Sequence, residues 1–130
     1  MATIFSKIIA GQIPSYKVAE NDKCYAFLDI NPLTKGHTLV VPKIETDYLF
    51  DLDDDIYSEL MLFSKKVATA IEKTVQCKRI AVVVLGLEVP HAHIHLIPMQ
   101  KESDISFSNK RVELSKEEMT AIAQNIALLL

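Results

Sequence analysis

The stretch His91-Ala92-His93-Ile94-His95-Leu96-Ile97 carries the strongest prediction about this chain. Three of the four histidines of the chain alternate here with small or aliphatic residues. Because alternate residues of a β-strand point to the same face, the spacing predicts one strand with three imidazoles on one side. Such a row contributes little to packing. It is typical of a strand that presents nucleophilic, acid–base or metal-binding nitrogens.

The composition limits the class of protein. A chain of 130 residues, 49% hydrophobic and 24% charged, predicts one globular domain over residues 1–130. Its net charge of −3 gives no general attraction to nucleic acid, so local groups must hold any phosphate ligand. Cys24 and Cys77 form no metal-binding pair, which suits a reducing compartment. The sequence has no signal-like start and no apolar run that could cross a bilayer, so we expect a cytoplasmic protein without a membrane partner.

The rest of the chain predicts an α+β domain around a mostly antiparallel five-stranded sheet. Apolar spacing predicts a short N-terminal helix closed by Gly11, and a long helix that follows the acidic residues 51–55 and ends near Val75. A capping box at Ser115 predicts a short C-terminal helix with Leu129 on its apolar face. Polar residues 100–112 are predicted as loop. The predicted strands are residues 16–19, 24–28, 37–41, 80–85 in the centre of the sheet, and the histidine strand ending at 98.

The histidine row has three interpretations when only the residues are considered. It is a structural strand with partly exposed histidines, or a zinc site in which His37 from another strand joins two members of the row. The absence of a carboxylate or cysteine nearby in the sequence counts against zinc. The third interpretation is covalent catalysis at phosphorus. A neutral imidazole nitrogen displaces a leaving group, while flanking imidazoles orient it and stabilise charge on the phosphoryl oxygens.

Four further blocks occur at defined positions along the chain: Ile4-Phe5-Ser6-Lys7-Ile8-Ile9, Ile13-Pro14, Ala26-Phe27-Leu28-Asp29-Ile30-Asn31-Pro32 and Gly36-His37-Thr38-Leu39-Val40-Val41-Pro42-Lys43. Together with the histidine row, these blocks resemble the histidine-triad (HIT) family of nucleotide hydrolases and transferases in both order and spacing. The similarity covers about residues 3–99, and a loop and helix at 100–130 follow it. The resemblance implies the HIT-like α+β fold.

The resemblance also implies roles for the histidines. His93 would be the nucleophile that forms a nucleotidyl-histidine intermediate. His95 would contact the phosphate and assist the leaving group. His91 and His37 would form the network that sets the tautomer and orientation of His93. The residues themselves agree on one point, since only the middle imidazole of the row has a neighbour on each side.

A nucleotide pocket is implied as well. Asp29 matches the acidic residue that binds the ribose hydroxyls in the family, although a turn aspartate before Asn31 is the plain alternative. Without the resemblance, the apolar residues of these blocks would be assigned to the core. Four of them match positions that wall the pocket for the base: Phe5, Ile13, Phe27 and Ile30.

The chain departs from the family pattern in three places. Many relatives hold a structural zinc ion where this chain has Thr3, Ser6 and Glu45, so we expect no metal and no cofactor. Residues 79–90 lack the asparagine and serine that touch phosphate in many relatives. Either Glu88 contacts the substrate there or backbone amides hold the phosphate, since a carboxylate beside a phosphate is repulsive unless it is protonated or paired. Residues 100–130 do not resemble the tail of the purine phosphoramidase branch.

The resemblance implies a homodimeric enzyme that acts at the α-phosphate of a purine nucleotide conjugate, such as a nucleoside phosphoramidate or a dinucleoside polyphosphate. In the predicted mechanism His93 takes the nucleotidyl group, and water then releases the nucleoside monophosphate. One alternative is a nucleotide-binding or sensing protein with little turnover, which the missing asparagine and serine leave open. The other is the histidine-ligated zinc hydrolase.

Overall fold

Five strands form a single sheet that brings the histidine stretch beside His37. In the computed structural model, which describes residues 2–130, neighbouring strands are antiparallel throughout. The strands are β1 (Lys17–Glu20), β2 (Cys24–Leu28), β3 (Thr38–Pro42), β4 (Arg79–Val83) and β5 (Ile94–Met99). Their order across the sheet is β1-β2-β3-β5-β4. The predicted α+β class and five-stranded sheet are confirmed.

In the described part of the chain, three helices accompany the sheet, and each begins after a side chain that accepts a backbone N–H. They are α1 (Ile4–Ile9), α2 (Asp54–Thr74) and α3 (Lys116–Ala127). The capping side chains are those of Thr3, Asp53 and Ser115. Leu129, predicted on the buried face of the last helix, lies beyond α3 and is half exposed. Within residues 2–130 we find no helix with the length and hydropathy to cross a bilayer.

The sheet separates two apolar clusters. Helices α2 and α3 cover one face, and the smaller cluster on the other face lies under α1. The smaller cluster contains Phe5, Ile8, Tyr25, Phe27, Leu39 and Val41. His95 lies between Ile94 and Leu96, which are both buried in the larger cluster. Because side chains alternate along a strand, His95 points to the α1 face, away from the main core.

The prediction that all three histidines of the row lie in one strand is wrong. β5 begins at Ile94, so His91 and His93 lie in the segment that leads into the strand. The neighbouring strand β3 ends at Pro42, which has no N–H with which to continue the ladder. The carbonyl of Pro42 is bound instead by the ring of His91. The rings of His93 and His95 are still adjacent, with centroids 5.1 Å apart.

The prediction that residues 80–85 form a central strand is also wrong. Among the strands of residues 2–130, β4 pairs with β5 alone and forms one edge of the sheet. A continuous aliphatic run is typical of a strand buried on both faces, yet Val82 is 56% exposed. A second difference lies in residues 100–112, predicted as loop, which contain a short 3-10 helix at Glu102–Ile105.

Gly36 fixes the start of β3 and therefore the position of His37. Its φ of +93° lies in the left-handed region that favours glycine. A Cβ at this position would lie 2.9 Å from a methyl of Val75, at the end of α2, and 3.3 Å from the Pro98 ring in β5. Both the backbone conformation and the lack of space therefore require glycine one residue before His37.

Candidate active site

His93 is held with one ring nitrogen bonded to backbone. Its Nδ1 lies 2.8 Å from the carbonyl oxygen of His91. Because a carbonyl can only accept, Nδ1 carries the proton, and in the neutral ring Nε2 keeps a free lone pair. Burial lowers the pKa of His93, and the hydrogen bond to the His91 carbonyl opposes this effect only in part. The ring is therefore neutral at neutral pH, with its basic nitrogen unprotonated.

His91 lies behind His93 and is fully buried. Its Nε2 lies 2.7 Å from the carbonyl oxygen of Pro42, so Nε2 is the donor. Its Nδ1 lies 2.7 Å from the hydroxyl of Thr3, which donates to it. Both ring nitrogens are thus occupied, and the backbone carbonyl that orients His93 belongs to a residue fixed at both sides of its ring.

His37 and His95 form a second ordered pair. The backbone N–H of Leu33 donates to Nδ1 of His37 at 3.0 Å, so the proton of the neutral His37 ring is on Nε2. That proton is donated to Nδ1 of His95, also at 3.0 Å. The remaining nitrogen of His95, Nε2, must then carry the proton of its own ring. Burial lowers the pKa of His37 to about 3 and that of His95 to about 4, so both rings are neutral at neutral pH.

Asp29 lies next to this pair. Its Oδ1 accepts the N–H of Asn31 at 2.8 Å, and its Oδ2 lies 3.7 Å from Nε2 of His37. Burial raises the pKa of the Asp29 carboxyl, although the N–H of Asn31 and the charge of Arg111 oppose that shift. The turn that follows β2 thus places a partly buried carboxylate beside the histidines.

The cluster of Asp29, His37 and His95 resembles a metal site in its distances alone, since ligand atoms of the three residues lie within 4.8 Å of one another. The carboxylate that the zinc interpretation lacked is therefore present in space. The hydrogen bonds do not fit a metal. Nδ1 of His37 already accepts from Leu33, so its Nε2 could bind a cation only after losing the ring proton that it donates to His95.

An open cavity of about 430 Å³ lies in front of His93 and His95. Its walls come from α1, the turn after β2, the connection between β4 and β5, and the segment after β5. The lining residues are Phe5, Asp29, Asn31, Leu39, Leu85, Gly86, Leu87, Glu88, Val89, His93, His95, Phe107 and Arg111. The site residues implied for chemistry, ribose and phosphate thus meet in one space, with His37 and His91 buried behind it.

The residues implied for the base pocket are divided. Phe5 lines the cavity, and its ring centroid lies 5.0 Å from that of His93. Phe27 is buried under Phe5, with ring centroids 5.7 Å apart, and Ile13 packs at the margin of the same cluster. Ile30 is 71% exposed and lies outside the cavity wall. The apolar side of the cavity is therefore Phe5 supported from below, while Ile30 stands apart.

The comparison with known proteins decides the family. The sequence profile described as the HIT domain matches residues 10–102. The chain belongs to the HIT family. A HIT-like protein of Borreliella burgdorferi is 38% identical over 135 residues, covering 95% of this chain and 97% of that protein. The Schizosaccharomyces pombe adenosine 5'-monophosphoramidase is 33% identical over 129 residues, covering 98% and 97%. The crystal structure of a HIT-like protein from Bartonella henselae matches with a TM-score of 0.84 at 32% identity, covering 98% and 96%.

Membership of the HIT family makes this chain a nucleotide-binding hydrolase in general terms. The cluster of Thr3, Ser6 and Glu45 occupies the positions at which many members of the family are expected to hold zinc. Here the Thr3 hydroxyl lies 3.1 Å from that of Ser6, and the Ser6 hydroxyl donates to the carboxylate of Glu45. Two hydroxyls and one carboxylate do not form the thiolate and imidazole set that zinc prefers. In this HIT protein, hydrogen bonds join α1 to His91 at that position.

Sequence interpretation missed two residues of the site, both from the segment after β5. The ring of Phe107 lies 4.9 Å from that of His95 and 6.4 Å from that of His37. The Arg111 guanidinium lies 5.5 Å from the Phe107 ring centroid and donates to the carbonyl of Asn31 at 2.7 Å. A single large aromatic residue in a polar stretch was the available signal, since such a residue needs an apolar partner elsewhere in the fold.

Proposed function

We propose that this HIT protein hydrolyses adenosine 5'-phosphoramidates and related purine nucleotide conjugates at the α-phosphate, with His93 as nucleophile. The proposal depends most on one relationship, the bond from Nδ1 of His93 to the carbonyl of His91. That bond leaves Nε2 of His93 with a free lone pair, in a ring that lines the cavity. The neighbouring ring of His95, with its centroid 5.1 Å away, also lines the cavity and has its proton on Nε2. A free nucleophilic nitrogen next to a neutral donor is the arrangement that attack on a phosphoryl group requires.

The reaction proceeds by two displacements. In the first, Nε2 of His93 forms a bond to phosphorus while the bond to the leaving group breaks, and the leaving amine or phosphate takes up a proton from solvent water. The His93 ring becomes cationic, and the His91 carbonyl stabilises it by accepting Nδ1–H. In the second, water attacks phosphorus, the phosphorus–nitrogen bond breaks and its electron pair returns to Nε2. The products are the amine or phosphate released in the first step and the nucleoside monophosphate released in the second. The proton lost from the attacking water returns to solvent and balances the one taken up in the first step.

His95 and His37 act on the phosphoryl group without supplying net charge. The hydrogen-bond order from Leu33 through His37 makes His95 a donor toward the cavity. That donor stabilises negative charge on the phosphoryl oxygen or on the leaving atom as it departs. Because His37 cannot replace a proton lost from His95 without becoming anionic, His95 serves as a fixed hydrogen-bond donor rather than as a stored proton.

The nucleoside half is recognised by the other residues implied from the family. Asp29 accepts the ribose hydroxyls, which its position beside the histidines and at the cavity wall supports. Phe5 packs against the base, with Phe27 and Ile13 beneath it. Ile30 is exposed outside the cavity wall and would contact only a part of the base that extends past that wall. Glu88, exposed at the cavity mouth, contacts the substrate beyond the nucleoside. None of these contacts calls for a metal or a cofactor.

The test compares wild type with His93→Ala, using adenosine 5'-phosphoramidate as substrate and calorimetric binding of AMP as the second readout. We expect the variant to lose turnover by roughly three orders of magnitude or more and to keep AMP binding. Loss of both would mean that the substitution has damaged the pocket, and normal turnover by the variant would exclude His93 as nucleophile. A wild type that binds AMP without hydrolysing any phosphoramidate or dinucleoside polyphosphate would favour the binding or sensing function.

We further propose that the protein is a homodimer in which β4 meets a second copy of itself. The outer edge of β4 offers unpaired backbone groups, and an apolar cavity of about 540 Å³ lies beside it, lined by residues that include Tyr48, Phe50 and Val82. Exposed apolar edges of this kind pair with another chain unless they are protected. Val82→Glu should convert the dimer to monomers in light scattering, whereas Leu128→Glu, at an 81% exposed position outside this surface, should not. A wild-type monomer at all concentrations would exclude the dimer.

The proposal includes a cytoplasmic location. Cys24 and Cys77 are both free thiols, as expected for a protein of a reducing compartment. Cell fractionation followed by thiol labelling should find the protein with the cytosolic enzymes and with both cysteines reduced. Recovery from a secreted or membrane fraction would contradict this location.

A further inference from the structure

The proposed site needs a cation for a phosphate, and its histidines do not supply one. His93 and His95 are neutral at neutral pH because burial lowers the pKa of each. Two carboxylates, Asp29 and Glu88, line the same cavity. A dianionic phosphate would therefore enter a space whose formal charges are negative, and that arrangement is repulsive unless a positive group offsets it.

Arg111 is the group that offsets this charge. Among residues 2–130, it is the only lysine or arginine that lines the cavity. Its charge acts on three groups of the site: it opposes the rise that burial causes in the pKa of Asp29, and it adds to the lowering that burial causes in the pKa values of His37 and His95. The guanidinium thus acts electrostatically on both rings of the histidine pair and on the Asp29 carboxylate beside them.

The position of Arg111 is fixed by hydrogen bonds from its segment to the turn after β2. One guanidinium nitrogen donates to the carbonyl of Asn31 at 2.7 Å, and the N–H of Val112 donates to the carbonyl of Pro32 at 2.9 Å. The guanidinium also lies over the ring of Phe107, which contacts His95. An arginine carries five N–H donors in a planar fork, so one bond to Asn31 leaves the others for an anion.

We propose that Arg111 binds the phosphate oxygens of the nucleotide and replaces the polar residues missing from residues 79–90. This inference rests on the proposed function, because it assigns the anion partner of that same cavity. The segment after β5 thereby becomes part of the active site: Phe107 covers the outer side of the histidine pair, and Arg111 supplies the positive charge. The ligand class is a nucleoside phosphate. Arg111 binds its phosphate and therefore favours it over the nucleoside that lacks one.

The competing explanation is purely structural, with Arg111 serving only to fasten the segment to Asn31. The two explanations differ in what they predict for a ligand without phosphate. A fastening role would make Arg111→Gln affect adenosine and AMP alike, since both use the same cavity walls. A phosphate-binding role would make the variant discriminate between them.

The experiment measures calorimetric affinities of AMP and adenosine for wild type, Arg111→Gln, Arg111→Lys and Lys110→Gln. The glutamine retains a donor for the Asn31 carbonyl and removes the charge, whereas lysine keeps the charge and loses the fork. Lys110 is exposed, precedes Arg111 and lies outside the cavity wall, so its substitution controls for net charge. Thermal unfolding of each variant reports whether the fold is intact.

We expect Arg111→Gln to weaken AMP binding about tenfold or more, the loss expected for a charge-assisted hydrogen bond, and to leave adenosine binding within about twofold. Arg111→Lys should recover part of the loss, and Lys110→Gln should match wild type. Equal effects of Arg111→Gln on both ligands, or no effect on AMP while wild type binds it, would overturn the role of Arg111 alone. If Arg111→Gln unfolds, the folded Arg111→Lys variant decides the question. Affinities for AMP and adenosine that change by the same factor in that variant would overturn the role of Arg111. A wild type that binds neither ligand would overturn the proposed function.

Discussion

The hydroxyl of Thr3 lies 2.7 Å from Nδ1 of His91, so the first turn of the chain reaches directly into the histidine network. The same hydroxyl accepts the N–H of Ser6 and caps α1. Since His91 Nε2 is bonded to Pro42, this contact completes the ring's hydrogen bonds inside the fold. Through the His91 carbonyl, the N-terminal helix is therefore connected to the orientation of His93.

Removing the Thr3 hydroxyl should impair catalysis from a distance. In Thr3→Val, Nδ1 of His91 is buried without a donor and α1 loses its cap, so we expect a stability loss of about 1–3 kcal/mol. Misplacement of His93 should lower kcat about tenfold with little change in KM. Thr3→Ser keeps the hydroxyl and should recover both quantities. Steady-state kinetics and chemical denaturation measure them, and a valine variant with unchanged kcat would show that Thr3 serves only as a cap.

The two nitrogens of His37 can be tested separately by amide substitutions. A glutamine places its NH₂ near the position of Nε2 and can still donate to His95, whereas the shorter asparagine reaches only the position of Nδ1. We therefore expect His37→Gln to retain more phosphoramidase activity than His37→Asn, by about tenfold or more. Equal activities in single-turnover assays would indicate that the donor to His95 has no part in the chemistry.

The pH dependence of the rate should reflect the environment of His93. Burial lowers its pKa below the ordinary value of 6.5, so the nucleophilic neutral form persists into mildly acidic solution. We expect kcat/KM for adenosine 5'-phosphoramidate to be constant as pH falls from 8 through about 6.5 and to decline only at lower pH, as His93 becomes protonated. A midpoint at or above 6.5 in the acid limb would contradict the burial of this ring.

The stability of the fold should decline on the acid side for a related reason. In the unfolded chain, His37 and His95 take up protons near pH 6.5. In the folded protein their pKa values are lowered to about 3 and about 4. Between these limits the unfolded state binds more protons, so the free energy of unfolding decreases as pH falls below about 6.5. Denaturation at a series of pH values should show a shallower decrease for His37→Gln than for wild type. Parallel curves would mean that His37 does not contribute.

Much of the fold was predictable because its signals are local. The acidic residues before α2, the capping box at Ser115, the apolar face of α2 and the strand at Cys24–Leu28 all appear within short windows of sequence. The position of β4 was not predictable in this way. An aliphatic strand has the same sequence pattern whether its second face meets a helix, a partner chain or solvent. Only the order of strands in the sheet shows that β4 lies at the edge.

The residues of the candidate site also fall into a group that the sequence predicted and a group that it did not. The spacing of the histidine row and the family blocks identified residues that meet at the cavity, including Phe5, Asp29 and His93. No periodic pattern or family block in the sequence includes Phe107 and Arg111. They reach the site only because the segment after β5 folds back over Asn31. The break in the strand before Ile94 was equally hidden, because it depends on Pro42 in the neighbouring strand.

The central claim is that His93 carries the nucleotidyl group during turnover. Mass spectrometry of the intact protein, mixed briefly with adenosine 5'-phosphoramidate and quenched in base because phosphorus–nitrogen bonds are labile in acid, tests it most directly. We expect wild type to gain the mass of one adenylyl group, peptide mapping to locate that group on His93, and His93→Ala to gain none. Substrate hydrolysis with no adduct at any mixing time, or an adduct on another residue, would contradict the account.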